Sequence, residues 1–273
     1  MDKIPEKLFM SYTYYFTGNY QQCIKECQKY LMDKSVSEAA REFMLRSYVE
    51  MGDYNMVICE ITDDATSNFL VIKLLAQLRK DSSNFNHVEA KMNELSLVDE
   101  NLCNDTFVNV ASSIYVLLYN PEMALKILHG KNGFESRTVD AMIDLNEDFP
   151  LTQLAIAAFD LARNGKYVEN ARSIYSELSE KYGSSSFLLN SEACCQFAMG
   201  NFDECENLLI QSLDKRENTE NTLENLIVVS KILKKRKDTI QRYIRQLESI
   251  NVKNQFLLDL ENKKQEFSLM IKM

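Results

Sequence analysis

Apolar residues recur along most of the chain at intervals of three and four positions, with polar residues between them. This spacing puts the apolar side chains on one face of an α-helix, whereas a half-buried strand would need strict alternation. Short polar breaks separate the periodic segments, and the pattern therefore predicts paired helices. The predicted pairs are 4–17 with 19–33, 36–51 with 53–61, 67–80 with 86–97, 104–118 with 121–129, 150–164 with 167–181, 185–199 with 201–213, and 219–233 with 237–249.

Several of the breaks repeat one short motif, a glycine followed by a polar residue and an aromatic residue. It occurs at Gly18 in FTGNYQQCIKECQKYL and at Gly200 in FAMGNFDECENLLIQSL. Gly18 lies 34 positions before Gly52, and Gly165 lies 35 positions before Gly200. Two helices and a tight turn in about 34 residues are typical of the tetratricopeptide repeat. Turns are predicted near residues 18, 52, 84–86, 119, 165, 200 and 235.

Glycine is expected in these turns because the chain leaves the first helix through a conformation in which a Cβ is costly. Small or modest side chains follow five or six residues later, where the two helices of a repeat should touch most closely. These side chains are Cys23, Val57, Ala124, Ala171 and Cys205. A free cysteine in such a position behaves as a small buried hydrophobe.

The repeats predict an all-α fold, a right-handed tetratricopeptide-like α-solenoid that residues 1–273 form as a single domain. An unpaired last helix at 252–271 is expected to cap the stack, with Phe256, Leu260, Phe267 and Met270 on its apolar side.

One interval breaks the repeat period. Tyr119 and Gly165 lie 46 residues apart, which is neither one period nor two. A shortened or irregular repeat is therefore expected at about 130–150.

The composition agrees with a helical chain and narrows the choice of partner. Only seven glycines and three prolines occur in 273 residues. The net charge of −9 repels phosphate, which disfavours nucleic acid and direct binding to an anionic membrane, and a protein partner fits better. The stretch FVNVASSIYVLLY is too short to span a bilayer, so membrane association would come only through partners.

The cysteine pattern and the first residues indicate a cytoplasmic protein. Seven cysteines, an odd number, include no CxxC motif, and MDKIPEKLFMSYTYYF lacks the order of a secretory signal. His87 and His129 do not lie at ligand spacing from a cysteine, which argues against a zinc site and a Cys–His nucleophile. No glycine-rich phosphate loop occurs. The sequence predicts no enzyme activity, cofactor or metal.

Three asparagines recur at one position of the repeat, ten residues before the turn. They are Asn109, Asn190 and Asn225. First helices line the concave face of a solenoid, where an amide can hold the backbone of a partner. Alternatively, the three side chains bridge neighbouring repeats.

Aromatic residues fall on or near the same face. Phe159, Phe187 and Phe197 are candidate apolar anchors for a bound segment. An aromatic stripe at helical spacing is also compatible with a buried core, and Tyr12 and Tyr15 allow the same two interpretations.

Four blocks, taken in order, resemble the coatomer epsilon subunit family. They are TFVNVASSIYVLLYNPEMALKIL, LTQLAIAAFDLARNG, FLLNSEACCQFAMGNFDECENLLIQSLDK and TLENLIVVSKILKK. The likeness covers nearly the whole chain and is strongest over 101–235. The chain departs from the family at 130–150, where a further helix pair would be expected.

This resemblance implies a non-enzymatic structural subunit of the coatomer vesicle coat that binds the C-terminal region of the alpha subunit. It further implies a role in Golgi-to-ER and intra-Golgi transport, and a cytoplasmic protein that is peripheral on Golgi membranes and coated vesicles. The alternative is a chaperone-linked repeat adaptor for acidic C-terminal peptides. Arg46, Lys73 and Lys80 lie near suitable positions for it, although no Lys–Asn ladder spans adjacent repeats.

Overall fold

A computed structural model describes residues 6–81, 84–98, 101, 104–118, 120–128, 146–215, 219–251 and 254–271. Within these ranges the chain forms α-helices, short 3-10 helices and turns, with no β-strand, which confirms the predicted all-α fold. The chain divides into two compact units, residues 1–152 (unit 1) and 153–273 (unit 2). The right-handed sense and the single-domain organisation stay predictions. The irregular repeat expected at 130–150 falls mostly on residues 129–145, which lie outside the described ranges.

Unit 1 is a stack of helical pairs. Its described helices are α1 (Phe9–Phe16), α2 (Tyr20–Gln28), α3 (Ser37–Glu50), α4 (Tyr54–Glu60), α5 (Ser67–Lys80), α6 (Phe85–Ser96), α7 (Asp105–Leu117) and α8 (Pro121–Leu128). The two helices of each pair pack together, and the first helices α1, α3, α5 and α7 also contact one another in chain order. This is the arrangement expected of repeats stacked in a solenoid.

Unit 2 continues the pattern from within α9. Its helices are α9 (Pro150–Arg163), α10 (Val168–Tyr182), α11 (Ser186–Ala198), α12 (Phe202–Asp214), α13 (Thr219–Ile232), α14 (Lys237–Ile250) and α15 (Gln255–Ile271). From α10 to α14 each helix contacts the next, and α11 also contacts α13. Across both units the predicted helix bounds agree with the structure to within a few residues. The largest differences are five residues each: α1 begins at Phe9 instead of 4, and α2 ends at Gln28 instead of 33.

The repeated turns close in a left-handed backbone conformation. Gly18, Gly52 and Gly200 have φ angles of 78°, 85° and 83°. At Gly200 the glycine N–H donates to the Phe197 carbonyl at 3.0 Å, and the next N–H donates five residues back at 2.9 Å. This is the Schellman closure of a helix. A Cβ at Gly52 or Gly200 would meet nothing within 4 Å, so glycine is favoured by the backbone angle and not by lack of space.

The turn predicted near 235 has the same closure with lysine in the glycine position. Lys234 has a φ of 54°, and its N–H donates to the Lys231 carbonyl at 3.2 Å. The Lys235 N–H donates to the Ser230 carbonyl at 3.0 Å. This turn therefore holds a non-glycine residue in a conformation that costs it free energy.

The small residues after the turns are buried as predicted. Ala171 and Cys23 are 0% exposed, and Cys205 is 2% exposed. Val57 and Ala124 are buried as well. Burial raises the pKa of the Cys205 thiol to about 12, which keeps it neutral and supports its role as a small apolar side chain.

The apolar contacts seen for the described side chains of the capping helix α15 lie in its first half. Phe256, Leu257 and Leu260 are partly buried against the apolar cluster of unit 2. Phe267, which was expected on the same apolar side of the helix, is 63% exposed. The side chain of Met270 lies outside the described residues.

A buried carboxylate joins three first helices of unit 1. Glu42 of α3 accepts hydrogen bonds from Asn68 Nδ2 of α5 at 3.0 Å and from Thr106 Oγ1 of α7 at 2.8 Å. Only 8% of Glu42 is exposed, and this burial raises the pKa of its carboxyl group. The hydrogen bonds from Asn68 and Thr106 offset part of this rise in the pKa. The contact therefore links neighbouring repeats by hydrogen bonds but also buries an unfavourable charge.

Candidate partner-binding site

Helices α11, α12 and α13 of unit 2 form a groove, which we call the apolar groove. Its volume is about 190 Å³. The lining residues are Ala193, Cys194 and Phe197 of α11, Cys205 and Leu209 of α12, and Asn225, Val228 and Val229 of α13. Seven of these side chains are apolar or thiol groups and one is an amide, which suits an apolar segment that also presents a backbone group.

Phe197 presents an aromatic ring to the apolar groove. It is 37% exposed and stands edge-on to Phe202 of α12, with 5.4 Å between the ring centroids. The two helices that hold these rings meet at the Gly200 turn, so the turn itself positions the pair. A fixed and partly exposed aromatic ring can anchor a partner without a large loss of side-chain entropy.

Asn225 provides the polar group of the apolar groove. Its Nδ2 lies 3.4 Å from Asn190 Oδ1, a long hydrogen bond, and the residue is only partly buried. Two asparagines from the same position of successive repeats are therefore neighbours. Since the contact from Asn225 is weak, its amide can form a better hydrogen bond with a bound backbone.

Asn190 has a different role, because it is only 7% exposed. Its Nδ2 lies 3.0 Å from the Ser186 carbonyl, 2.7 Å from Ser212 Oγ and 2.8 Å from Thr222 Oγ1. These partners belong to α11, α12 and α13, so the side chain joins three helices. The geometry matches the alternative interpretation, in which the asparagine bridges neighbouring repeats.

The other predicted residues lie outside the apolar groove. Phe159 is 50% exposed on α9, with the Arg163 guanidinium 5.3 Å from its ring centroid. Phe187 is 39% exposed in the first turn of α11. Asn109 is exposed on α7 of unit 1, where it borders a separate polar pocket. The apolar groove therefore brings together Phe197 and Asn225 of the six predicted residues.

The sequence prediction missed Val228, which is 39% exposed in the wall of the apolar groove. Leu226, Ile227 and Val229 are buried around it. Four consecutive apolar residues at 226–229 obscure the helical period. The available signal was that Val228 falls off the buried stripe set by Leu223, Leu226 and Ile227.

The three basic residues considered as contacts for an acidic peptide, Arg46, Lys73 and Lys80, have different surroundings. Lys73 donates to the Ile61 carbonyl at 2.8 Å and pairs with Asp63 at 2.6 Å. Lys80 is exposed at the end of α5. Arg46 lines a polar pocket of unit 1.

The described helices include none long and apolar enough to cross a membrane. The helices stack in pairs, and unit 2 has an apolar groove and exposed aromatic residues. These features define a helical-repeat protein whose surface is suited to binding another protein.

The comparisons with known proteins specify this class. The model of the coatomer epsilon subunit family matches residues 4–273. Coatomer subunit epsilon-1 of Arabidopsis thaliana is 30% identical over 264 residues, which cover 89% of this chain and 88% of the relative. Coatomer subunit epsilon-2 of Oryza sativa subsp. indica is 31% identical over 269 residues, or 89% of each chain. Coatomer subunit epsilon of Dictyostelium discoideum is 26% identical over 276 residues, with coverage of 90% and 91%.

The chain belongs to the coatomer epsilon subunit family. It is therefore a structural component of the coatomer vesicle coat and not an enzyme, and it works within the coatomer complex.

Proposed function

We propose that this chain binds the C-terminal region of the coatomer alpha subunit and holds it within the assembled coat. In this role it supports Golgi-to-ER and intra-Golgi vesicle transport from the cytoplasmic side of Golgi membranes and coated vesicles. The observation that carries the proposal is the apolar groove with Phe197 at its wall in a member of the coatomer epsilon family.

The chemistry of the apolar groove supports binding of a polypeptide. Phe197 and Val228 expose 37% and 39% of their surface from facing helices α11 and α13. Covering such side chains removes apolar area from water, and Asn225 can satisfy one backbone group of the bound segment. A stable coat subunit should bury an interface above roughly 2,000 Å², of which the groove would be one part.

The proposal is tested by co-expression with the C-terminal region of the alpha subunit, followed by gel filtration and measurement of dissociation rates. The test variant is Phe197→Ala with Val228→Ser, which removes two walls of the groove. The matched control is Phe267→Ala, the same aromatic truncation at an exposed site on α15. Circular dichroism and thermal melting check that each variant is folded.

The groove variant should bind at least about tenfold more weakly, about 1.4 kcal/mol, mainly through faster dissociation. Phe267→Ala should bind as the wild type does. Unchanged binding by a folded groove variant would show that the partner uses another surface. Failure of the wild-type chain to form any complex would reject the alpha-subunit partner itself.

A further inference from the structure

Unit 1 contains a small polar pocket formed entirely by first helices. Tyr15 of α1, Arg46 and Glu50 of α3, Arg79 of α5, and Asn109 of α7 line it, and its volume is about 50 Å³. Neither its residues nor its chemistry belong to the apolar groove of unit 2. We call it the arginine pocket.

The arginine pocket contains one arginine, Arg46, that forms no direct ion pair with a carboxylate of the described residues. Arg79 Nη1 pairs with Glu50 Oε2 at 2.9 Å. Arg46 forms no ion pair within the described part of the chain, and its buried Nε has no hydrogen-bond partner there. Burial raises the pKa of the Tyr15 phenol, so the phenol stays neutral and does not compensate Arg46.

The guanidinium of Arg46 is held in a defined orientation. Its central carbon lies 4.4 Å from the centroid of the Tyr15 ring and 5.3 Å from that of Phe43. Stacking on two rings limits the motion of an otherwise flexible side chain. The planar donor fork of arginine matches a carboxylate, and pre-orientation reduces the entropy lost on binding.

Size and charge narrow the choice of ligand. The volume of the arginine pocket is about 50 Å³, and a buried water occupies about 10–15 Å³ of cavity volume. The pocket therefore accommodates roughly three to five water-sized groups. A side-chain carboxylate with its methylene stem fits this space. A chain-terminal carboxylate would bring its own peptide group as well, and a phosphate dianion would exceed the single uncompensated charge in a chain of net charge −9.

We propose that the arginine pocket receives the carboxylate of an Asp or Glu side chain from the coatomer alpha segment. This inference rests on the proposed function. Arg46 supplies the charge-assisted hydrogen bonds, and Arg79, shared with Glu50, adds to the positive potential. The exposed amide of Asn109 borders the entrance and can bind the adjoining backbone.

The test compares binding of the alpha C-terminal region by wild type, Arg46→Gln and Arg46→Lys, with Lys80→Gln as control. Lys80→Gln removes the same charge from an exposed site next to Arg79. Arg46→Gln should weaken binding at least about tenfold at low salt, and the difference should shrink at high salt. Arg46→Lys should recover only part of the affinity because it lacks the fork, and Lys80→Gln should stay within about twofold of wild type.

The carboxylate is then located by changing each Asp and Glu of the alpha region singly to Asn or Gln. One change should reproduce the loss and add little when combined with Arg46→Gln, as expected for two groups in contact. Thermal melts of the free variants show whether a loss of binding comes from unfolding. If Arg46→Gln is unstable, Arg46→Lys is used as the test variant in its place.

Three outcomes contradict the inference in distinguishable ways. If wild type binds and Arg46→Gln binds equally well, the arginine pocket is not used, while the proposed function stands. If the loss follows amidation of the alpha C-terminus and no side chain couples to Arg46, the ligand is the terminal carboxylate and the assignment is wrong. If wild type forms no complex with the alpha region, the proposed function fails and this inference fails with it.

Discussion

Replacing Lys234 by glycine should stabilise unit 2. The turn between α13 and α14 repeats the hydrogen bonds of the Gly200 turn, yet its left-handed residue is a lysine with a φ of 54°. A residue with a Cβ pays about 1–2 kcal/mol in this conformation. Lys234 is exposed, so removing its side chain sacrifices little packing.

The gain in unfolding free energy is smaller than the backbone strain that is relieved, because glycine also increases the conformational entropy of the unfolded chain. This entropy lowers stability by about 0.4–1 kcal/mol. Lys234→Gly should therefore raise the unfolding free energy by about 0.5–1 kcal/mol. By the same reasoning Gly200→Ala should lower it by about 1 kcal/mol, since the new Cβ meets no atom and only the backbone strain is added.

Urea unfolding followed by circular dichroism measures both changes, and hydrogen exchange in α11–α14 assigns them to unit 2. Exchange is needed because a chain with two compact units need not unfold in one step. Lys234→Ala is the control, because it removes the lysine side chain but keeps the strained Cβ, and it should be nearly neutral. Equal stabilisation by Lys234→Ala and Lys234→Gly would refute the argument from the φ angle.

Four further substitutions test the helix packing and the polar contacts between repeats. Ala171→Leu should overpack the contact at the start of α10 and cost about 1–3 kcal/mol, measured by thermal melting. Asn190→Ala should lower the free energy of unfolding by about 1–3 kcal/mol, because the buried hydroxyls beside Asn190 lose their amide partner. Asn225→Ala should lower it less, because Asn225 is only partly buried and its hydrogen bond is long. Urea unfolding measures both. Glu42→Gln should raise stability at neutral pH relative to acid pH, as paired unfolding curves would show.

The sign of the Glu42 effect follows from the direction of its shift. Burial raises its pKa above the ordinary value of 4.5, so the folded state favours the protonated form. The cost of ionisation is absent below the unfolded pKa and complete above the folded pKa, and glutamine removes it. A Glu42→Gln variant whose stability relative to wild type does not change with pH would contradict this. An unchanged melting temperature of Ala171→Leu would contradict the packing assignment. Equal losses of unfolding free energy for Asn190→Ala and Asn225→Ala would contradict the different roles given to the two amides.

The sequence by itself determined the local structure of both units. Helices follow from apolar residues three and four positions apart, and Gly18 and Gly200 mark turns because a positive φ is a property of a single residue. The buried positions of Cys23 and Cys205 follow from the same 34-residue period. Even the turn at Lys234 was located by the period, although its closure without glycine was not evident.

Only the tertiary structure decided which side chains are available to a partner. Asn190 and Asn225 occupy one position of the repeat, yet the first is enclosed by hydroxyls from α12 and α13 and the second faces the apolar groove. Likewise, Tyr15 and Arg79 lie 64 positions apart in the chain but share the arginine pocket. The period specifies where a residue lies on its own helix, but burial depends on the side chains that neighbouring repeats place against it, and those contacts form only when the helices stack.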